Sequence, residues 1–311
     1  MFNEAIDEVL NYLEAQKERG VKYVRVSPET LKSLLAEPET ERQKSEAARS
    51  SSRPTARKSA ESAPSFKASS FSAAAPLPPE RIRKPENLNP YSGMDIEIKL
   101  GAPLSREEKL AKMAALREEL PKCVLCPHLA SSRRNVVFGT GDVDSPLLFI
   151  GEAPGADEDI EGEPFVGRAG QLLMKIIAAM GLSREKVFIA NILKCRPDTP
   201  GQTSGNRPPT PQEMQTCYPW LVKQIEIIQP RVIVALGATA VNALLAQTLP
   251  ISRMRGKFQP FHGMQVMPTF HPSYLLRYAN AKVKRQVWED MLQVMEFLGM
   301  EISEKQRGYF L

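Results

Sequence analysis

The sequence predicts an α/β protein, a three-layer α/β/α arrangement around a central, mainly parallel four-stranded sheet. Four short apolar runs carry this: LLFIG (147–151), VFIAN (187–191), RVIVALG (231–237) and QVMPTF (265–270). Each is apolar almost throughout, not at every second residue, as a strand covered on both faces requires. Helix-like stretches alternate with them, the pattern of a parallel sheet with helices on either side. Length permits it: 311 residues, 42% of them hydrophobic, suffice for one such core with residues to spare.

Three regions separate by composition. Residues 1–39 hold a helix with Ile6, Val9, Leu10 and Leu13 at helical spacing, then a β-like run leading into Ser-Pro-Glu-Thr, a start for a second helix. Residues 40–100 are dominated by Ser, Ala, Pro, Lys and Arg and cannot bury enough apolar surface to offset their ordering entropy; they read as a disordered linker. Residues 101–311 form the folded domain. SREEKLAKMAALREEL is a helix with a Ser cap and an acidic first turn. Further helices fall at GQLLMKIIAAMGL, PTPQEMQTCYPWLVKQIEIIQ, ATAVNALLAQ and KRQVWEDMLQVMEFLG. The insert PDTPGQTSGNRPPTPQ between them is read as an exposed loop.

Lys and Arg number 41 against 36 Asp and Glu, a net +5, with a pI near 8.9. That suits a polyanionic partner without specifying one. No run approaches the roughly 18 apolar residues of a membrane span. The acidic, amphipathic start is unlike a signal peptide, so a cytoplasmic location is expected, where four cysteines are not expected to form disulfides.

In parallel α/β folds, ligands bind beyond the carboxyl ends of the strands, which here means just after Ile150, Ala190, Leu236 and Thr269. The first end continues as GEAPGADEDIEGEPFVGRAGQLL, residues 151–173. Gly151 and Gly155 make a tight loop that a ligand can approach closely. Glu152, Asp157, Glu158 and Asp159 crowd carboxylates that suit either water activation or a solvated, helix-capping loop. Phe165, in a polar glycine-rich loop, suits stacking on a planar base or plugging the loop to the core. Asn191 offers a donor and an acceptor at a strand end, as a base edge demands and as turns also use. His271 opens HPSYLLR; its imidazole can stabilise a leaving-group anion or simply face solvent. Ser273 and Arg277 can meet phosphate. Tyr274, Leu275 and Leu276 form an apolar tip able to wedge into a base stack or to cap a helix. Cys123 and Cys126 form a C-x2-C with Cys195 and Cys217 as distant partners, which fits zinc or a [4Fe–4S] cluster equally.

In combination these motifs resemble the family 4 uracil-DNA glycosylases, the iron–sulfur branch of their superfamily. The resemblance spans about residues 119–298: the C-x2-C before RRNVVFGTGD, then GEAPGADED, EPFVGRAGQLL, NILKCRP, Cys217, RVIVALGATA, RGKF and HPSYLLR. It implies the uracil-DNA glycosylase fold and a monofunctional hydrolase that removes flipped-out uracil from single- or double-stranded DNA. It favours [4Fe–4S] over zinc on Cys123, Cys126, Cys195 and Cys217. Phe165 would stack on the base and Asn191 pair with its edge, with Gly151, Ala153 and Glu158 completing the pocket. Glu152 would place the water, and His271 would donate to uracil O2. Ser273, Leu275, Leu276 and Arg277 would contact DNA, one leucine as the wedge. A monomer is expected, with residues 1–100 unmatched and free to bind a protein partner. The alternative is a non-catalytic DNA-binding module of the same fold in a polymerase or repair assembly.

Overall fold

The computed structural model describes residues 89–198, 207–278 and 280–311. The predicted N-terminal helices, residues 40–88 of the predicted linker and half of the 197–212 insert lie outside the described residues.

Four parallel strands form the sheet's centre: β2 (Leu147–Gly151), β3 (Phe188–Asn191), β4 (Val232–Leu236) and β6 (Met264–Thr269). They are the four apolar runs. Two short strands, β1 (Thr140–Gly141) and β5 (Gln259–Phe261), pair antiparallel at the edges, giving the order β1-β3-β2-β4-β6-β5 among the described residues. In register, Gly151 lies beside Asn191, and Ala235 pairs with both Ile150 and Pro268. All the residues of β2, β3 and β4 are buried, as uninterrupted apolar runs require.

The helices are α1 (Arg106–Glu119), α2 (Pro127–Ser132), α3 (Ala156–Glu161), α4 (Arg168–Ala179), α5 (Pro211–Ile228), α6 (Ala238–Leu244), α7 (Ile251–Met254), α8 (Pro272–Arg277), α9 (Ala281–Leu298) and α10 (Glu304–Arg307). Ser105 caps α1 and Thr210 caps α5 in reciprocal boxes with Glu108 and Glu213, each satisfying backbone N–H groups that the first turn leaves open. One apolar cluster packs Leu116, Tyr218, Leu221 and Ile225 against one sheet face; a second packs Leu173, Ile177, Met291 and Met295 against the other.

The described part of the predicted linker is not a linker. Residues 89–100 pack on the domain, with Met94 and Ile98 buried in the first cluster. Asn89 Nδ2 donates to the Ala246 carbonyl at 2.6 Å, and Lys99 N to Glu226 Oε1 at 2.9 Å. Composition averaged over 60 residues hid the apolar side chains Tyr91, Met94, Ile96 and Ile98 near its end. The folded domain therefore begins by Asn89, not at 101.

Candidate active site

A cavity of about 470 Å³ opens beyond the carboxyl ends of the parallel strands. Glu152, Ala153, Glu158, Phe165, Asn191, His271, Ser273 and Arg277 all line it. They come from the carboxyl ends of β2, β3 and β6, from the loops that follow β2, and from the short helices α3 and α8.

Phe165 is held by its neighbours. Its backbone adopts a left-handed φ of 55°, a conformation uncommon for a bulky residue that the surroundings must enforce. Glu158 supplies part of that enforcement: Oε1 accepts from Val166 N and Gly167 N and Oε2 from Gly155 N, each at 3.0 Å. Arg184 clamps the other side, donating to the Phe165 and Pro164 carbonyls and to Glu163. Gly170 is required beneath, since a Cβ there would lie 2.0 Å from the Phe165 carbonyl. A Cβ at Gly151 would sit 2.4 Å from Asn191 Oδ1 and 2.6 Å from Phe165 Cζ. Gly151 thus serves by having no side chain, letting ring and amide approach the same point.

Asn191 is 2% exposed, and its Oδ1 has no hydrogen-bond partner. A buried carbonyl left unpaired costs about 1–3 kcal/mol, so this oxygen is a standing acceptor at the cavity wall. The His271 ring lies 5.7 Å from that of Phe165. Its Nδ1 accepts from Ser273 N at 3.1 Å and sits 2.8 Å from Ser273 Oγ. Accepting at Nδ1 leaves the proton of the neutral ring on Nε2. Burial, aided by the Arg277 charge, pulls the His271 pKa down to about 4, so the ring is neutral at pH 7. Glu152 is tied through its main chain to Leu193 N. Tyr91 lies within its electrostatic reach: burial first, then Glu152, raises the phenol's pKa, against hydrogen bonds with Thr239 and Asn242.

Glu158 borders the cavity as expected, and its carboxylate accepts from three backbone N–H groups, so it shapes the pocket loop. One expectation is corrected. Leu275 is only 5% exposed and packs inward, while Leu276 is 41% exposed. In a six-residue helix, adjacent side chains point about 100° apart, which turns Leu275, one of the expected DNA contacts, into the fold and Leu276 to the surface.

The cysteines lie beside the cavity. Cys195 and Cys217 are buried with Leu129 and Leu193, and Cys126 and the cavity residue Ala153 pack against that group. Cys123, four residues before α2, abuts the neighbouring apolar cluster. Arg133 Nη1 donates to Cys195 Sγ at 3.3 Å, and its Nη2 holds the Pro121 and Cys123 carbonyls. Lys194 N donates to Cys217 Sγ at 3.2 Å. Burial pushes the Cys217 thiol up to about 12 and raises Cys195 and Cys126, so a bound cation is what would hold them as thiolates. Among the described residues no group of His, Cys, Asp or Glu closes tightly around a single-ion position.

Sequence reasoning missed Arg184, Tyr91 and Arg207. Arg207 borders the cavity and grips Glu213 with both guanidinium nitrogens, at 2.6 and 2.9 Å. Only the spacing Thr210-x-x-Glu213, a capping box, hinted that Glu213 was structural.

A strand-end cavity combining a fixed ring, an unpaired amide and a neutral imidazole, on this sheet order, defines the class: the model of the uracil DNA glycosylase superfamily matches residues 138–292. The chain is 44% identical over 191 residues to the type-4 uracil-DNA glycosylase of Thermotoga maritima, covering 61% of this chain and 96% of that one. It is 40% identical to that of Saccharolobus solfataricus over 59% of this chain and 85% of the relative, and 38% identical to that of Archaeoglobus fulgidus over 58% and 90%. The chain belongs to the type-4 uracil-DNA glycosylases.

Proposed function

We propose that the chain hydrolyses the N-glycosidic bond of uracil extruded from DNA, leaving an abasic site. One observation carries the reading: the unpaired, buried Asn191 Oδ1 faces a cavity that Phe165 and His271 also line. Uracil carries an N3–H donor between two carbonyls; Oδ1 accepts from N3–H, and the same amide's NH₂ can donate to the adjacent O4. Phe165 stacks on the ring. The His271 Nε2–H donates to O2 and stabilises the charge that develops as the C1′–N1 bond breaks and its electron pair moves onto the base. Glu152 orients a water toward C1′ and accepts its proton as the new C–O bond forms. Ser273 and Arg277 contact the DNA backbone, and Leu276 fills the gap left by the extruded base.

The four cysteines fit a [4Fe–4S] cluster, which the type-4 relationship supports: the donors are all thiols, and N–H groups of Arg133 and Lys194 already point at two of the sulfurs, as thiolate-bound clusters require. When bound, the cluster supplies structural cross-linking of three separate segments next to Ala153. The described domain acts as a monomer, and a protein partner binds through the N-terminal segment. Incubation with a uracil-containing oligonucleotide, followed by alkaline cleavage, tests the activity. Strand breaks at the uracil position support it; intact strands in the presence of demonstrable DNA binding would favour a non-catalytic binding module.

A further inference from the structure

Next to the cavity an aromatic ladder runs from the interior to the surface, and the proposed reaction does not use it. Its base is the buried Asp290, which accepts from Thr269 Oγ1 at 2.6 Å and from Arg255 Nη2 at 2.6 Å. The Arg255 guanidinium lies 5.6 Å from the Phe270 ring centroid. Phe270 stacks on Tyr274 at 4.8 Å with the planes 18° apart, and Tyr274 meets Tyr278 at 4.6 Å. The three rings stand at i, i+4 and i+8 along α8 and its ends, so they share one side of that element. Tyr274 is 36% and Tyr278 53% exposed. The ladder therefore ends in flat aromatic surface open to solvent and fixed from below.

Two observations point to what covers it. The ladder shares α8 with Ser273 and Arg277, which line the cavity, so it continues the proposed DNA site outward. The surrounding chain is also one-signed: no Asp or Glu occurs from Ile227 to Trp288, while Arg253, Lys257, Arg277, Lys282 and Lys284 fall in that stretch. Exposed rings on a segment rich in cations and free of acidic residues, with the Asp290 carboxylate beneath them already paired to Arg255, match a strand of stacked bases linked by phosphates.

We propose that Tyr278, braced by Tyr274, Phe270 and Arg255, is a nucleobase-stacking subsite for an unpaired nucleotide flanking the extruded one on the same strand. The inference rests on the glycosylase reading and adds to it a preference: single-stranded DNA, whose flanking bases are free to stack, gains from the ladder, and a duplex, whose flanking bases are already stacked, gains less.

The test measures affinity of the full chain for a short single strand carrying a non-cleavable abasic analogue, with either natural bases or base-free linkers flanking it. Tyr278→Ala should weaken binding to the natural strand about tenfold, Tyr278→Phe less than about twofold, and Tyr278→Leu nearly as much as Ala, since stacking needs a flat ring. Removing the flanking bases should weaken the unaltered chain by a similar factor and leave Tyr278→Ala almost unaffected, a coupling that a purely structural tyrosine would not produce. Equal affinity of Tyr278→Ala and the unaltered chain, equal losses in Ala and Phe, or no effect of flanking-base removal on the unaltered chain would each overturn the proposal. The last readout requires no variant to fold. Uracil release by the unaltered chain from the matching uracil strand tests the underlying reading separately.

Discussion

The cavity and the cysteine site are neighbours sharing Ala153, yet their polar groups are treated in opposite ways. In the cavity, Asn191 Oδ1 is buried without a partner, and the bonds that hold the His271 ring within the described residues use Nδ1. Around the cysteines, donors are already aimed at sulfur, from Arg133 to Cys195 and from Lys194 to Cys217. The first region keeps bonding capacity open at a stability cost of about 1–3 kcal/mol for the buried, unpaired Asn191 Oδ1. The second directs that capacity inward, onto its own ligands. Recognition and scaffolding are separated within a few residues, along the segment Asn191 to Cys195.

This contrast can be broken by experiment. The largest effect is expected at Asn191: Asn191→Ala should slow single-turnover uracil excision about 10²–10³-fold, the magnitude of losing one preorganised polar group. Its unfolding free energy should stay within about 1 kcal/mol, because an unpaired carbonyl is removed along with some packing. A large stability loss with intact excision would make Asn191 structural. Cys217→Ser should do the reverse: iron content and the visible absorbance of the purified protein should fall, with stability lowered by on the order of 3 kcal/mol. Stoichiometric zinc in the unaltered protein would reassign the metal.

Smaller effects sharpen the account of α8. Leu275→Ala should destabilise by about 2–4 kcal/mol as a buried leucine. Leu276→Ala should leave stability within about 0.5 kcal/mol and reduce excision from duplex DNA more than from single strands. Equal behaviour of the two leucines would contradict the orientation of the helix.

The pH dependence follows from His271, whose folded pKa of about 4 lies below the ordinary value near 6.5. The unfolded chain binds a proton between these values that the folded chain refuses. The stability tied to the neutral ring is therefore complete above about pH 6.5 and is lost as pH falls toward 4. His271→Gln should lose less stability than the unaltered chain between pH 7 and pH 5, by on the order of 1 kcal/mol after allowing for solvent in the cavity. Asp290, raised to about 6 mainly by burial, acts with the opposite sign between about 3.8 and 6, and the comparison with His271→Gln cancels it. Denaturant titrations at the two pH values measure the difference.

Much of this was legible in the sequence because the signals were strong and local. Unbroken apolar runs mark the four parallel strands, and chain topology then puts Glu152, Asn191 and His271 at one sheet edge. The edge strands β1 and β5 were not legible: two or three residues hold no period, and their pairing depends on β3 and β6. Residues 89–100 were lost in the composition of their neighbours. Arg184 was missed, and the way Glu158 acts at the pocket was not foreseen, because their role, bracing a left-handed Phe165, exists only in three dimensions. Leu275 and Leu276 are chemically identical in sequence and differ only in the direction they face.

On the proposed reading, the cavity holds an extruded uracil through Asn191 and cleaves it from its sugar. Quantifying free uracil and abasic sites together, in one reaction with a uracil-containing single strand, tests it most directly. The unaltered chain should yield equal amounts of both, with no strand break before alkali, and Asn191→Ala should lose both products while DNA binding persists. Release of uracil by Asn191→Ala at the unaltered rate, or DNA binding by the unaltered chain with no free uracil, would contradict it.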